Sequence, residues 1–401
     1  MIVCLYDGPK FLCRMLPVKK LDSNFLFHQT NIIVNGINDA GGNVVSVICD
    51  GNRVNQSFFK KFDLIHPWLT KENMFLLFDY VHLLKNIRNN WITEKSQELE
   101  YEYDNVKRVA KWSVLKDLFY LETGTATMLN LTETSIFPKP IERQKVSTCL
   151  QIFCDETVAA LKSHPEIADA DGTIFFLSLV LKFWKIVNVS SPYENIRLLD
   201  PSRAVISSLD DINLQYLIKF SRMVENMSTC GERVKSLTKD TSNALSHTCR
   251  GLTDLAKHLL TDKMFSYVML GNFTSDPIEK EFGKLRQGSG GTYFISVQQV
   301  LDKVSIFKTK LLLRYEDFDV LKAESHSCDK CGFLLTENLC NVIDNLPNLE
   351  KSLSMDCIMA LVYISGYIMR NDSITEDAHF YFEKYGKFLN EMNRGGLTIP
   401  G

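Results

Sequence analysis

The sequence predicts an α/β segment at the start, followed by a long and mainly helical one. Three observations carry that reading. Between residues 1 and 80, β-branched and aromatic runs alternate with helix-spaced ones. From about residue 82 to 270 the strand signals fade and apolar residues recur at helical spacing. Two strand-like runs in the first segment each end in an aspartate, Asp50 and Asp79.

Residues 11–18 are a short apolar run closed by Pro17, a strand candidate. Residues 23–40 place Phe25, Leu26, Ile32, Ile33 and Ile37 near helical spacing and stop at Gly41-Gly42, a common helix end. Residues 43–49 contain Val44-Val45-Ser46-Val47-Ile48, a β-branched run that predicts a buried strand ending at Asp50. A second helix follows with Phe58, Phe59 and Phe62, and residues 74–78 predict another strand, ending at Asp79. Ligand and catalytic groups gather at the carboxyl edge of the strands in an open α/β sheet, so both aspartates are candidates. Helices are expected over residues 108–121, 142–161, 174–188, 209–227 and 238–260. A glycine-rich turn at residues 288–291 precedes an amphipathic helix, and residues 322–401 form a tail.

With 45% hydrophobic and 23% charged residues, the 401-residue chain has enough apolar surface to build a core. Lys and Arg number 45 against 48 Asp and Glu, a net charge of −3, which argues against nucleic-acid binding through bulk charge but leaves room for a local basic groove. The 11 cysteines sit mostly in apolar runs and read as reduced residues used as small hydrophobes. The start lacks a basic region followed by a long apolar one, so no signal peptide is expected. The most apolar stretch, residues 174–189, is interrupted by Lys182 and Lys185 and is too short and too charged to span a bilayer. No membrane association is expected, and the compartment reads as cytosolic or nuclear.

Four constellations could carry chemistry. Asp50 suits Mg²⁺, a hard cation that takes few protein oxygens; its bland alternative is a cap on the helix beginning near Val54. The run from Phe78 to Asn90 sets His82, Lys85, Asn86 and Asn89 at helical spacings, with Lys85 and Arg88 available for phosphates; its bland alternative is a helix capped by Asp79. In the run from Asn272 to Gln287, Asp276 and Pro277 fit a helix start, Glu279 is a carboxylate that a capping box would also want, and Lys284 and Arg286 could meet a nucleic-acid backbone. Cys328 and Cys331 form half of a zinc site, with no well-spaced second pair. No P-loop, GxGxxG, nucleophile elbow or HExxH motif is present.

Taken in order, ICDGNRVNQSFFKKF, FDYVHLLKNIRNNW and GNFTSDPIEKEFGKLRQGSGG closely resemble the P element transposase family, which includes the THAP-domain transposases. KFWKIVNV resembles the family's F-D-x-x-N segment, and LVYISGYIMR a recurrent C-terminal apolar motif. The resemblance implies an α/β RNase H-like domain, incomplete at its N-terminus and interrupted by a large all-α insertion, plus a short C-terminal region. The implied domains are residues 1–90 and 272–320 for the two RNase H-like parts, 91–271 for a GTP-binding-type insertion and 321–401 for the C-terminal region. It implies a DNA transposase whose Asp50 and Glu279 hold Mg²⁺ or Mn²⁺ for strand cleavage and transfer, with Lys85, Arg88, Lys284 and Arg286 on nucleic acid. Asn188 and Asp276 would contact nucleotide. DNA, a homo-oligomer and a nuclear location follow from the same resemblance.

Two departures shape the expectation. The family's first catalytic aspartate would precede Met1, and Asp7 is not accepted as its substitute, so a truncated, inactive form is expected; the alternative is a domesticated, non-catalytic DNA- or protein-binding module. The aspartate of F-D-x-x-N reads Lys185 here, a cation where a carboxylate should meet nucleotide or Mg²⁺, which opposes the implied GTP binding.

Overall fold

The structure is a computed structural model of the chain and describes residues 1–3, 5, 10, 11, 13, 16, 18–123, 131–229, 235–288, 296 and 298–300. The expectations for Cys328, Cys331, Asp7 and the C-terminal region lie outside the described residues. Two compact units divide the chain: Val3–Pro277, and Met1–Ile2 together with Ile278–Gly401. The elements before α12 belong to the first unit, except that β1 begins one residue outside it.

A mixed α/β architecture emerges. The first part contains β1 (Ile2–Val3), β2 (Lys10–Phe11), α1 (Ser23–Asp39), β3 (Ser46–Cys49), α2 (Arg53–Phe59), β4 (Leu64–His66), β5 (Leu69–Thr70), β6 (Phe75–Phe78) and α3 (Tyr80–Thr93). A hairpin follows, β7 (Glu98–Tyr103) and β8 (Val106–Lys111). Then come helices α4 (Trp112–Thr123), α5 (Glu133–Ile136), α6 (Val146–Leu150), α7 (Asp155–Ser163), α8 (Ala170–Val187), α9 (Glu194–Arg197), α10 (Ile212–Thr229), α11 (Lys239–Thr261) and α12 (Asp276–Gly288).

The sheet that positions the site has the order β3-β6-β5-β4. β3 and β6 run parallel in the register Ser46↔Phe75 to Cys49↔Phe78. Their partners are therefore 29 positions apart (75 − 46), and so are the two strand-end aspartates (79 − 50). The Asp79 amide donates to the Cys49 carbonyl at 2.9 Å, which extends the ladder one step and sets Asp50 and Asp79 side by side. All four residues of β6 are buried, as expected of a central strand flanked by neighbours on both edges.

Helix α11 lies against this sheet through polar as well as apolar contacts. Thr248 Oγ1 accepts from the Phe78 amide at 3.2 Å, Trp68 Nε1 donates to Asp254 at 2.8 Å, and His247 Nε2 meets the Leu76 carbonyl at 2.7 Å. Close approach needs Gly251, where an added Cβ would stand 2.6 Å from the Leu77 side chain. One apolar core runs from Phe58 to Phe273, so the sheet and the helical segment share an interior. Its aromatic centre includes Trp91 edge-on to both Trp112 and Phe176.

Two expected elements differ. The helix expected over residues 108–121 begins only at Trp112, because Val106–Lys111 is a strand paired with Glu98–Tyr103. Leu99 and Tyr101 face the core in strict alternation, and Asp104 and Asn105 turn the hairpin with φ of 55° and 60°. The helix expected over residues 142–161 is instead a 3-10 turn, α6 and α7 in series. Thr157 Oγ1 donates to the Gln151 carbonyl at 2.8 Å and closes the break between the last two. Among the described residues, no helix is long and apolar enough to cross a membrane.

Candidate functional site

The site grows from the parallel register of β3 and β6. Asp50 leaves β3 with a side chain 47% exposed. The helix after it is capped by Asn52, whose Oδ1 accepts from the Asn55 amide at 2.9 Å, so capping does not explain Asp50. His82, one turn into α3, brings Nδ1 to 3.4 Å from Asp50 Oδ1. Asp50, Asp79 and His82 each present one ligand atom, all within 4.8 Å of one another.

Asp79 has a different environment. It is fully buried, and its carboxylate receives four hydrogen bonds. Oδ1 accepts from the Val81 amide at 2.8 Å, which caps α3, and from Thr274 Oγ1 at 3.3 Å. Oδ2 accepts from the Ser275 amide at 3.1 Å and from the Ser275 hydroxyl. A carboxylate offers about four lone-pair positions, and all are taken. Asp79 therefore ties the end of β6 to a turn 196 residues later and keeps little capacity for a metal. Asp50 and His82 complete the trio, with His82 Nδ1 3.4 Å from Asp50 Oδ1. Oxygen suits Mg²⁺ and Mn²⁺, while an imidazole nitrogen shifts preference towards Mn²⁺ and other transition metals, so these residues fit a divalent cation.

The same turn gathers the next layer. Tyr80 is buried, and its hydroxyl stands 3.4 Å from both Asn188 Oδ1 and the Gly271 carbonyl. Burial and then the charges of Asp79 and Asp276 push the Tyr80 phenol far above its ordinary pKa, so it stays a neutral donor. Burial, reinforced by Asp50 and Asp79, likewise raises the Cys49 thiol and keeps it protonated. Gly271 permits the crossing: its amide donates to the Val189 carbonyl at 2.8 Å, and a Cβ there would fall 2.4 Å from that oxygen. Asp276 is the first residue of α12, with its amide donating to Thr274 Oγ1 at 3.3 Å. Asn188 and Asp276 thus both neighbour Tyr80 in the first unit. Glu279 lies on α12 in the unit that begins at Ile278. Lys284 and Arg286 are exposed on the same helix, Lys284 pairing with Glu281 at 2.5 Å.

Two expected nucleic-acid contacts are corrected. Arg88 is fully buried, and its guanidinium donates to Thr148 Oγ1 at 2.8 Å, to the Arg143 carbonyl at 2.6 Å and to Asn89 Oδ1. It clamps α3 to the segment around α6. Lys85, one turn earlier, is also buried. Both point into the packed side of α3, because this helix is enclosed by α6, α8 and α11.

Lys185, near the C-terminal end of α8, sits between two carboxylates that spacing alone did not reveal. Its Nζ lies 2.8 and 2.7 Å from the two oxygens of Asp155 and 2.8 Å from Asp200 Oδ2. Desolvation would lower the lysine pKa, but the hydrogen bonds from Asp155 and Asp200 outweigh it and the net shift is upward.

Sequence reasoning missed Tyr80, Thr274, Ser275, Asp155 and Asp200. The hydroxyl pair before Asp276-Pro277 was the one readable signal; the others depend on contacts across fifteen residues or more.

Comparison with known proteins gives a domain match and a fold likeness. Residues 81–198 match the family described as TNP-like, GTP-binding insertion domain. The fold matches the Drosophila P element transposase strand transfer complex with a TM-score of 0.59 and 18% identity, covering 71% of this chain and 64% of that one. The chain thus spans less than two thirds of the protein it matches. Among curated proteins, none matches the sequence significantly. The family match is confined to residues 81–198, and beyond it the likeness to the transposase complex is one of fold.

Proposed function

We propose that this chain is a P element-like DNA transposase with an RNase H-like catalytic part interrupted by its helical segment. The carrying observation is the parallel β3–β6 register, which delivers Asp50 to the carboxyl edge of the sheet beside His82 and the locked Asp79. Asp50 and Glu279 hold Mg²⁺ or Mn²⁺, and the bound cations would lower the charge barrier to attack on a DNA phosphodiester. Tyr80 and the Asp79-bound turn hold the chain up to Asp276, while Lys284 and Arg286 meet the DNA backbone. The similar structure is titled a transposase strand transfer complex, which supports a nucleic-acid strand as the partner here. A homo-oligomer and a nuclear location complete the reading.

The test is Mn²⁺- or Mg²⁺-dependent nicking of labelled duplex DNA by the full chain. Nicking that disappears in Asp50→Ala and in Glu279→Ala supports the proposal. Retained DNA binding without nicking, unchanged by either substitution, supports instead a non-catalytic DNA-binding module. Neither binding nor nicking by a folded chain overturns both.

A further inference from the structure

A GTP-binding description covers residues 81–198, yet the residues within and just beyond it fit that ligand poorly. The side chain of Lys185 is only 12% exposed and has three N–H bonds. Three carboxylate oxygens stand within 2.8 Å of its Nζ, two from Asp155 and one from Asp200, so no donor is left for a phosphate. Asp155, its side chain 70% exposed, turns both oxygens to Lys185, and Asp200 is committed further. Asp200 Oδ1 accepts from the Ser202 amide at 3.0 Å, and Oδ2 also lies 3.9 Å from Arg203 Nε. Arg203 in turn reaches 3.6 Å from Glu194, whose other oxygen accepts from the Ser190 and Ser191 amides at 3.0 and 3.1 Å.

A guanine edge presents N–H donors that need an unengaged carboxylate, and a nucleotide-bound Mg²⁺ needs unengaged oxygens. Asp200 and Glu194 are engaged, and the oxygens of Asp155 already face the Lys185 ammonium, a cation standing where a guanine N–H or a metal would have to come. A carboxylate pair bridged by a cation is the arrangement a divalent metal would build, with the ammonium standing where the metal would be. Asn188, one turn along from Lys185, has its side-chain oxygen turned to the Tyr80 hydroxyl.

We infer that Lys185 is a built-in cation that replaces a divalent metal between Asp155 and Asp200, so that this helical segment holds its shape without GTP. The inference stands on the ion cluster and not on DNA cleavage, so failure of the nicking assay leaves it intact.

Thermal melting of the full chain tests it, with GTP·Mg²⁺, Mg²⁺ alone and no addition. The wild-type midpoint should move by no more than about 1 °C, whereas a ligand present at a hundred times its Kd would raise it by roughly 5 °C or more. Lys185→Met should lower the midpoint, because it leaves two carboxylates facing each other. Lys185→Asp should acquire a saturable rise with Mg²⁺ or Mn²⁺ that the wild type lacks. A saturable GTP-dependent rise in the wild type overturns the inference, as does Lys185→Met melting with the wild type. If Lys185→Asp does not fold, equilibrium dialysis of the wild type against labelled GTP decides: retention overturns the inference and its absence upholds it.

Discussion

Asp50 and Asp79 occupy matching ends of neighbouring parallel strands, and their surroundings could hardly differ more. Asp50 is about half exposed and faces an imidazole; Asp79 is fully buried and faces four donors. A strand-end carboxylate thus stays open or becomes an anchor according to what the rest of the chain brings to it. For Asp79 that is a turn from the far end of the helical segment, whose Thr274 and Ser275 fill the lone pairs a metal would need. For Asp50 it is one turn of the helix that Asp79 caps. Anchor and ligand are coupled, because the anchor sets the start of α3 and hence the position of His82.

The most severe way to break this contrast is Asp79→Ala. It strands the buried Val81 amide and the half-buried Ser275 amide with two hydroxyls, where each orphaned buried donor costs about 1–3 kcal/mol and a half-buried one less. A loss of about 4 kcal/mol in chemical denaturation is expected, together with faster amide exchange at Ser275. A loss below about 1 kcal/mol would show that Asp79 is not an anchor.

A second contrast lies between His82, beside the exposed carboxylate, and His247, enclosed by Phe59, Phe78 and Trp68. Burial lowers the His247 pKa to about 4, against 6.5 for an ordinary histidine, despite the Leu76 carbonyl that favours the charged form. The folded chain therefore resists a proton that the unfolded chain accepts. Its contribution is complete above pH 6.5 and is lost as pH falls towards 4, by up to about 3 kcal/mol. Melting of the wild type and His247→Phe at pH 7 and pH 4.5 isolates this group: the difference between them should change over that interval, and parallel curves would contradict the assignment.

Gly271→Ala sharpens the anchor side. The added methyl would fall 2.4 Å from the Val189 carbonyl, so the backbone must shift where the chain returns to Tyr80 and Asp79. Overpacking of this kind costs about 1–3 kcal/mol, measurable as a lower denaturation midpoint. A midpoint equal to the wild type would mean that the crossing is looser than its geometry.

How much of this was legible in the chain divides along the same line. The apolar run before Asp79 announced a buried strand with neighbours on both sides, as β6 is; the β-branched run before Asp50 announced a strand as well, but β3 is only half-buried, because among the described residues it pairs with β6 alone. Their mutual register was hidden, since nothing local says that Ser46 pairs with Phe75. Arg88 looked like a phosphate contact because charge reads as surface, and only packing against α6 turned it inward. The β7–β8 hairpin was written in the alternation of Leu99, Tyr101 and Tyr103, but the following helix-friendly residues masked it. Lys185 was visible as an oddity; its meaning came from Asp155 and Asp200, thirty residues before it and fifteen after.

The smallest effect on stability should come from Asp50→Asn, and that smallness is its value. Asp50 caps no helix, is half exposed, and stands beside His82 and the buried Asp79. Exposed substitutions of this kind usually stay within about 0.5 kcal/mol. The substitution keeps shape but removes the negative charge on which a hard divalent cation depends. Mn²⁺ binding followed by paramagnetic line broadening should weaken at least tenfold, with the His82 and Gly51 resonances losing their broadening first. Broadening that persists in Asp50→Asn but vanishes in Asp79→Asn would reverse the two roles, making the buried carboxylate the ligand and the exposed one a bystander. If instead the charge matters only at Asp50, the same strand-end residue type has been put to two uses 29 positions apart, one holding the frame and one meeting the metal.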